Sequence, residues 1–138
     1  MSSTANVELI ERFYDAWRRR DLDAVVACVH PEMEFDWLNA RGPFRGTYRG
    51  HEGLGRFFED LTDAWDRFVP EVEEVVECGP DRLVAVSVVH ARGRGSGIEV
   101  DARGGLLYTV RDGRILSGIF FQTRDEALDA AARASAPG

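Results

Sequence analysis

Leu106-Leu107-Tyr108-Thr109-Val110-Arg111-Asp112-Gly113-Arg114-Ile115-Leu116-Ser117-Gly118-Ile119-Phe120-Phe121 is the stretch on which the fold turns. Two apolar runs rich in aromatic and β-branched residues flank Asp112-Gly113. A two-residue type I′ turn needs positive φ at both central positions, which Asp-Gly supplies. The pattern predicts an antiparallel hairpin of Leu106–Val110 with Ile115–Phe121. Upstream, Leu83 to Arg92 is Val-rich and strand-like, and a Gly93–Gly97 turn leads from it into a longer strand. Pro70 opens an acidic strand to Cys78, closed by the Gly79-Pro80-Asp81 turn. Met33, Phe35 and Trp37 alternate with Glu34 and Asp36, the period of a strand with one buried face.

Helical spacing dominates elsewhere. Val7, Ile10, Phe13, Tyr14 and Trp17 form a broad apolar stripe, and Arg18-Arg19-Arg20 follows as a solvated helix end complementing the macrodipole. Asp21 caps a short second helix with Leu22, Val25, Val26 and Val29 on one side, ended by His30-Pro31. A Gly-rich stretch from Arg41 to Gly53, containing Phe44, Tyr48 and His51, leads into a third helix whose inner face carries Leu54, Phe57, Phe58, Leu61 and Trp65. Asp125 to Ala132 forms a short closing helix, with residues 134–138 a frayed tail. The expected class is α+β, in one domain spanning residues 1–138.

Composition removes several functions. The chain has 138 residues, 44% hydrophobic and 30% charged, with a net charge of −7. That balance is wrong for nucleic acid or anionic membrane, which need a clustered basic face. All 17 basic residues are Arg, so Schiff-base chemistry and a P-loop lysine are excluded. No leader or membrane span is readable, which places the chain in the cytoplasm, and Cys28 and Cys78 are expected as free thiols. Three isolated His and two distant Cys lack metal-ligand spacing, and no nucleotide loop appears, so neither metal nor cofactor is expected.

Four phrases carry a resemblance: Phe13-Tyr14-Asp15-Ala16-Trp17 through Asp21-Leu22-Asp23-Ala24; His30-Pro31-Glu32-Met33; Tyr48-Arg49-Gly50-His51-Glu52-Gly53; and Asp112-Gly113-Arg114-Ile115 with Asp125-Glu126-Ala127-Leu128. In this order they resemble the SnoaL-like branch of the nuclear transport factor 2-like superfamily. The resemblance implies a cone-shaped roll, with a curved mixed or antiparallel sheet wrapped over three helices of the N-terminal half and a short C-terminal helix. It also implies a small-molecule pocket and a homodimer through the open sheet face, here Leu83, Ala85, Val89 and Leu107.

Likeness to ketosteroid isomerase, run without gaps, turns Leu106, Tyr108 and Val110 inward with Gly118, Phe120 and Gln122, and with the even-numbered face of the preceding strand. Val88 would then face inward, and His90 and Arg92 the cone mouth. The positions matching that isomerase's helix-one tyrosine, its base and its sheet acid are Phe13, Trp37 and Leu106, so its mechanism is not expected. Ser117 to Thr123 holds no carboxylate for cyclase chemistry, and no strand offers the Arg and paired acids that epoxide hydrolysis uses in this fold.

The candidate ligand-binding residues are Phe13, Trp17, Phe35, Trp37, Tyr48, Phe57, Phe58, Trp65, Val88, Phe120 and Gln122; the candidate catalytic residues are His90, Arg92 and Tyr108. His51 and His30 are expected to cap or pack. Three functions remain open. One is a lyase, isomerase or cyclase in which His90 moves a proton while Arg92 or Tyr108 steadies charge. The others are a binder of a small apolar or aromatic ligand without turnover, and a homodimeric interaction module.

Overall fold

A computed structural model describes residues 3–37 and 46–135. The expected loop residues 41–45, with Phe44, and residues 136–138 of the expected tail lie outside the described residues. The elements run α1 (Ser3–Arg18), α2 (Leu22–Ala27), β1 (Val29–Asp36), β2 (Thr47–Arg49), α3 (Gly50–Ala64), β3 (Trp65–Glu77), β4 (Arg82–Gly93), β5 (Glu99–Arg111), β6 (Arg114–Phe121) and α4 (Arg124–Ser135). The six strands form one sheet in the order β2-β1-β6-β5-β4-β3. Only β1 and β6 pair in parallel, so the sheet is mixed. The α+β cone is the expected architecture.

Local chemistry accounts for the joints. The hairpin between β5 and β6 turns at Asp112 and Gly113, with φ of 54° and 73°, the positive values that a type I′ turn demands. Asp21 caps α2 by accepting from the Ala24 amide at 3.1 Å. At the end of α1, Arg19 pairs with Asp15 at 2.9 Å and Asp21 at 3.3 Å, so the triple-Arg run is a solvated helix end.

Three boundaries differ from expectation. β1 begins at Val29 and includes Pro31, with its register on β6 shifting between Val29 and Glu34; Pro is accommodated at that irregularity. The third helix stops at Ala64, and Trp65 opens β3. β3 therefore starts five residues before Pro70, which it tolerates because it is an edge strand. β2, three residues long, was not anticipated, being too short to show a period.

β3 carries a second register shift between Val72 and Glu74. A bulge of this kind reverses which parity faces inward. Phe68 and Val72 pack on the main core before it and Val75 after it, while Val76 joins the outer cluster.

The main core lies between the concave sheet face and the helices, with Ile10, Val25, Val29, Met33, Leu54, Leu83 and Ile115 fully buried. On the convex face α4 packs on β4 and β5 through Ala127 and Ala131 against Val84 and Leu107. Its fit depends on Gly105, where a Cβ would stand 2.8 Å from the Ala127 Cβ and 3.2 Å from the Thr123 carbonyl oxygen. Gly105→Ala is expected to lift α4 and cost about 1–3 kcal/mol, read from the urea midpoint. An unchanged midpoint would show that α4 contributes little to stability.

Candidate functional site

The register of β4 on β5 decides which side chains face the concave interior. Leu83 pairs with Tyr108, Ser87 with Gly104 and Ala91 with Val100. Residues directly opposite one another share a sheet face. The odd positions of β4 therefore join the even positions of β5, the reverse of the gap-free expectation. Val88, His90 and Arg92 stand on the convex face, and Ser87, Val89 and Ala91 on the concave one. The expected dimer face is corrected by the same register. Leu83 and Ala85 are 0% exposed in the core, Val89 lines the cavity, and Leu107 is covered by α4.

A cavity of about 420 Å³ opens within the cone. α1 supplies Phe13, Tyr14 and Trp17, β1 leads in Phe35 and Trp37, and α3 adds Phe57 and Leu61. β3 adds Trp65, Phe68 and Pro70. Val89 and Ala91 on β4 line it with Val100, Ala102, Gly104 and Leu106 on β5, and Gly118, Phe120 and Gln122 complete the wall. Tyr108, Phe13 and Phe35 are buried, whereas Val100 and Ala102 are exposed, so the cavity runs from a closed aromatic end towards the β4–β5 hairpin.

Rings in edge-to-face and stacked contact build the wall. Phe13 meets Tyr14, Trp17, Phe35 and Tyr108 edge-on with centroids 5.9 to 6.2 Å apart. Trp37 lies stacked between Phe57 and Phe120 at 5.2 and 5.1 Å. Each such pair contributes about 0.5–1.5 kcal/mol beyond burial. Glycine makes room for them: a Cβ at Gly104 would stand 2.5 Å from the Phe120 ring, and one at Gly118 would meet Tyr108 at 3.1 Å and Phe35 at 3.2 Å.

Polar groups are few. The Tyr14 hydroxyl lies 2.7 Å from Ser87 Oγ and 2.8 Å from the Tyr108 hydroxyl. Burial pushes both tyrosines above the ordinary phenol range, Tyr108 well above it. Trp65 Nε1 is buried without a partner among the described residues. Arg103 is the only charged residue among the described lining residues, and its guanidinium is committed on the convex side to Glu73, at 2.9 and 3.1 Å.

Of the expected residues, Phe13, Trp17, Phe35, Trp37, Phe57, Trp65, Tyr108, Phe120 and Gln122 come together around the cavity, and Val88, His90, Arg92, Tyr48 and Phe58 do not. Tyr48 sits beside Phe57 and gives its hydroxyl to Asp60 at 2.9 Å, its pKa pushed up to about 12, chiefly by burial. Phe58, one helical step round from Phe57, stacks on Trp17. Tyr14 and Ser87 were missed. Tyr14 shares the α1 stripe with Trp17 three residues on, and Ser87 is the lone polar residue in Leu83–Val89, so both carried a signal.

Outside the cavity, His51 Nε2 hydrogen-bonds with the Val29 carbonyl at 2.9 Å, and His30 Nδ1 accepts from the Glu32 amide at 3.0 Å. Among the described residues, no group of three His, Cys, Asp or Glu side chains could hold a metal ion. No described helix is long and apolar enough to cross a membrane, and both cysteines are free.

His90 bridges three strands on the convex face, with Nδ1 2.7 Å from Asp101 and Nε2 3.1 Å from Glu71. These two carboxylates, Asp101 first, hold its pKa above the ordinary imidazole value. A group that binds its proton more tightly when folded stabilises the fold below its unfolded pKa, about 6.5 for His. That contribution disappears as pH rises through the raised folded value. The Tm advantage of the wild type over His90→Gln is thus expected to be largest in mild acid and to shrink towards alkaline pH. A gap independent of pH would mean that the bridge does not depend on a charged imidazole.

Comparison with known proteins agrees with this architecture. An uncharacterised protein of Mycobacterium tuberculosis, Rv0034, is 28% identical over 115 residues, 83% of this chain and 86% of that one. Among solved structures, TerC co-crystallised with polyporic acid superposes with a TM-score of 0.75 at 21% identity, covering 93% of this chain and 98% of TerC. Rv0760c of Mycobacterium tuberculosis, in complex with estradiol-17β-hemisuccinate, does so at 0.73 and 19%, covering 88% and 95%. Residues 10–118 match the SnoaL-like domain, and with its nuclear transport factor 2-like cone the chain belongs to that family.

Proposed function

We propose that this protein binds a small, flat, largely apolar ligand in the aromatic cavity and releases it unchanged. One observation carries the reading: the described residues lining the cavity include all three tryptophans of the chain and no Asp, Glu or His. A general base must lie within hydrogen-bond reach of the proton it takes. His90, the base expected from the sequence, stands on the opposite face of β4. What the wall offers is apolar area, ring faces and neutral donors, the recognition set of a binding pocket. The volume lies within the usual range for small-molecule sites, roughly 300–1,000 Å³. The ligands in the TerC and Rv0760c crystals support a similar use of this cone here.

Trp17, Trp37 and Trp65 make the test direct, because any occupant lies against the chain's whole indole fluorescence. Titration with flat polycyclic compounds is expected to change that emission saturably, and ligand at about 100 times its dissociation constant should add about 2.7 kcal/mol of stability. Val89→Trp, which puts a ring into the cavity from β4, is expected to keep the fold and abolish the response. Binding undiminished by that variant would place the ligand elsewhere. Turnover of any bound compound would overturn the non-catalytic reading.

A further inference from the structure

The three buried hydroxyls of the cavity form an open chain, Ser87 to Tyr14 to Tyr108, with links of 2.7 and 2.8 Å. Their residues are 4%, 4% and 2% exposed, and all three line the cavity. Each neutral hydroxyl carries one proton to donate and lone pairs to accept. Both tyrosines stay neutral under ordinary conditions because burial raises their pKa.

Three protons serve two links. If the chain runs from Ser87 through Tyr14, the Tyr108 proton is unspent; if it runs from Tyr108, the Ser87 proton is; and if both ends donate to Tyr14, the Tyr14 proton is. Each arrangement leaves one buried donor without an acceptor, and an unmade hydrogen bond is costly there. Among the described residues, none of the three hydroxyls makes a hydrogen bond beyond these two links. The excess has the same sign at Trp65, whose buried Nε1 donates and cannot accept.

Resting on the binding reading above, we infer that the natural ligand is an uncharged planar compound presenting a carbonyl oxygen to the Ser87–Tyr14–Tyr108 chain, and that the site discriminates against the corresponding alcohol. A carbonyl brings lone pairs and no proton, so every hydroxyl proton finds an acceptor. An alcohol brings a proton of its own and leaves the count one acceptor short. A carboxylate would supply lone pairs, but its charge would enter a wall whose one guanidinium is held on the far face by Glu73.

Three rigid tricycles of almost one shape test this: 9-fluorenone, 9-fluorenol and fluorene, titrated calorimetrically into the intact protein. Fluorenone is expected to bind at least about tenfold tighter than either of the others. In the variant combining Ser87→Ala, Tyr14→Phe and Tyr108→Phe, which keeps the cavity's shape and removes all three protons, the preference should fall to within about threefold. Should that variant not fold, Tyr14→Phe alone strands a proton on both Ser87 and Tyr108, and the fluorenone preference must persist or grow. Equal wild-type affinities, tighter fluorenol, or a preference that survives removal of all three hydroxyls overturns the inference while leaving the binding reading intact. Failure of all three compounds to bind overturns both.

Discussion

The antiparallel pairing of β4 with β5 is the constraint from which the site follows. It sets Leu83 against Tyr108 and Ser87 against Gly104, and so assigns the paired residues of these two strands each to one face. A slip of one residue would put His90 and Arg92 into the cone and Ser87 outside it. The convex face shows why the observed register is the favourable one. His90 bridges Glu71 and Asp101 there, Arg92 reaches Asp66 at 3.2 Å, Arg103 grips Glu73, and Arg124 grips Glu74. Slipped, those partners would be divided between an apolar interior and water.

Given that register, a cavity is hard to avoid. The helices bring Phe13, Trp17 and Phe57 towards a face already carrying Phe35, Phe120 and Tyr108. Rings of this size meet edge to face or offset, and neither arrangement fills a converging space without gaps. Glycines at 104 and 118 let the rings sink onto the strand backbone, drawing them back from the axis of the cone. The core below, built on Ile10, Met33, Leu54 and Ile115, is aliphatic and fully buried, so it can carry the stability while the aromatic end stays hollow.

Where one local interaction sufficed, the sequence was readable. Asp112-Gly113 specified its hairpin, Asp21 its cap, and the α1 stripe its buried face. Trp65 was assigned to a helix because its spacing from Leu61 is helical, yet it opens an edge strand that only the sheet could complete. The face of β4 was unreadable for a sharper reason: Val84, Val86 and Val88 alternate with Leu83, Ala85 and Val89, so both sides look apolar. One is covered by core and cavity, and the other by α4 at one end and by salt-bridged stems further along. Ser87 is the single asymmetry in that run, and its meaning appears only when Tyr14 arrives from 73 residues away.

Charge is therefore partitioned by the sheet itself. With 24 acids and 17 arginines, the chain has many chances to place an ion in its pocket, yet the described lining carries one, and that one is turned outward. In so apolar a site a lone carboxylate would shift its pKa or draw in water and a counterion. Three coupled hydroxyls avoid both outcomes, since they can be buried uncharged and still give direction to a ligand. On the binding reading proposed above, selectivity would come from hydrogen-bond count and ring shape, since the one charged residue of the described lining is turned outward to Glu73.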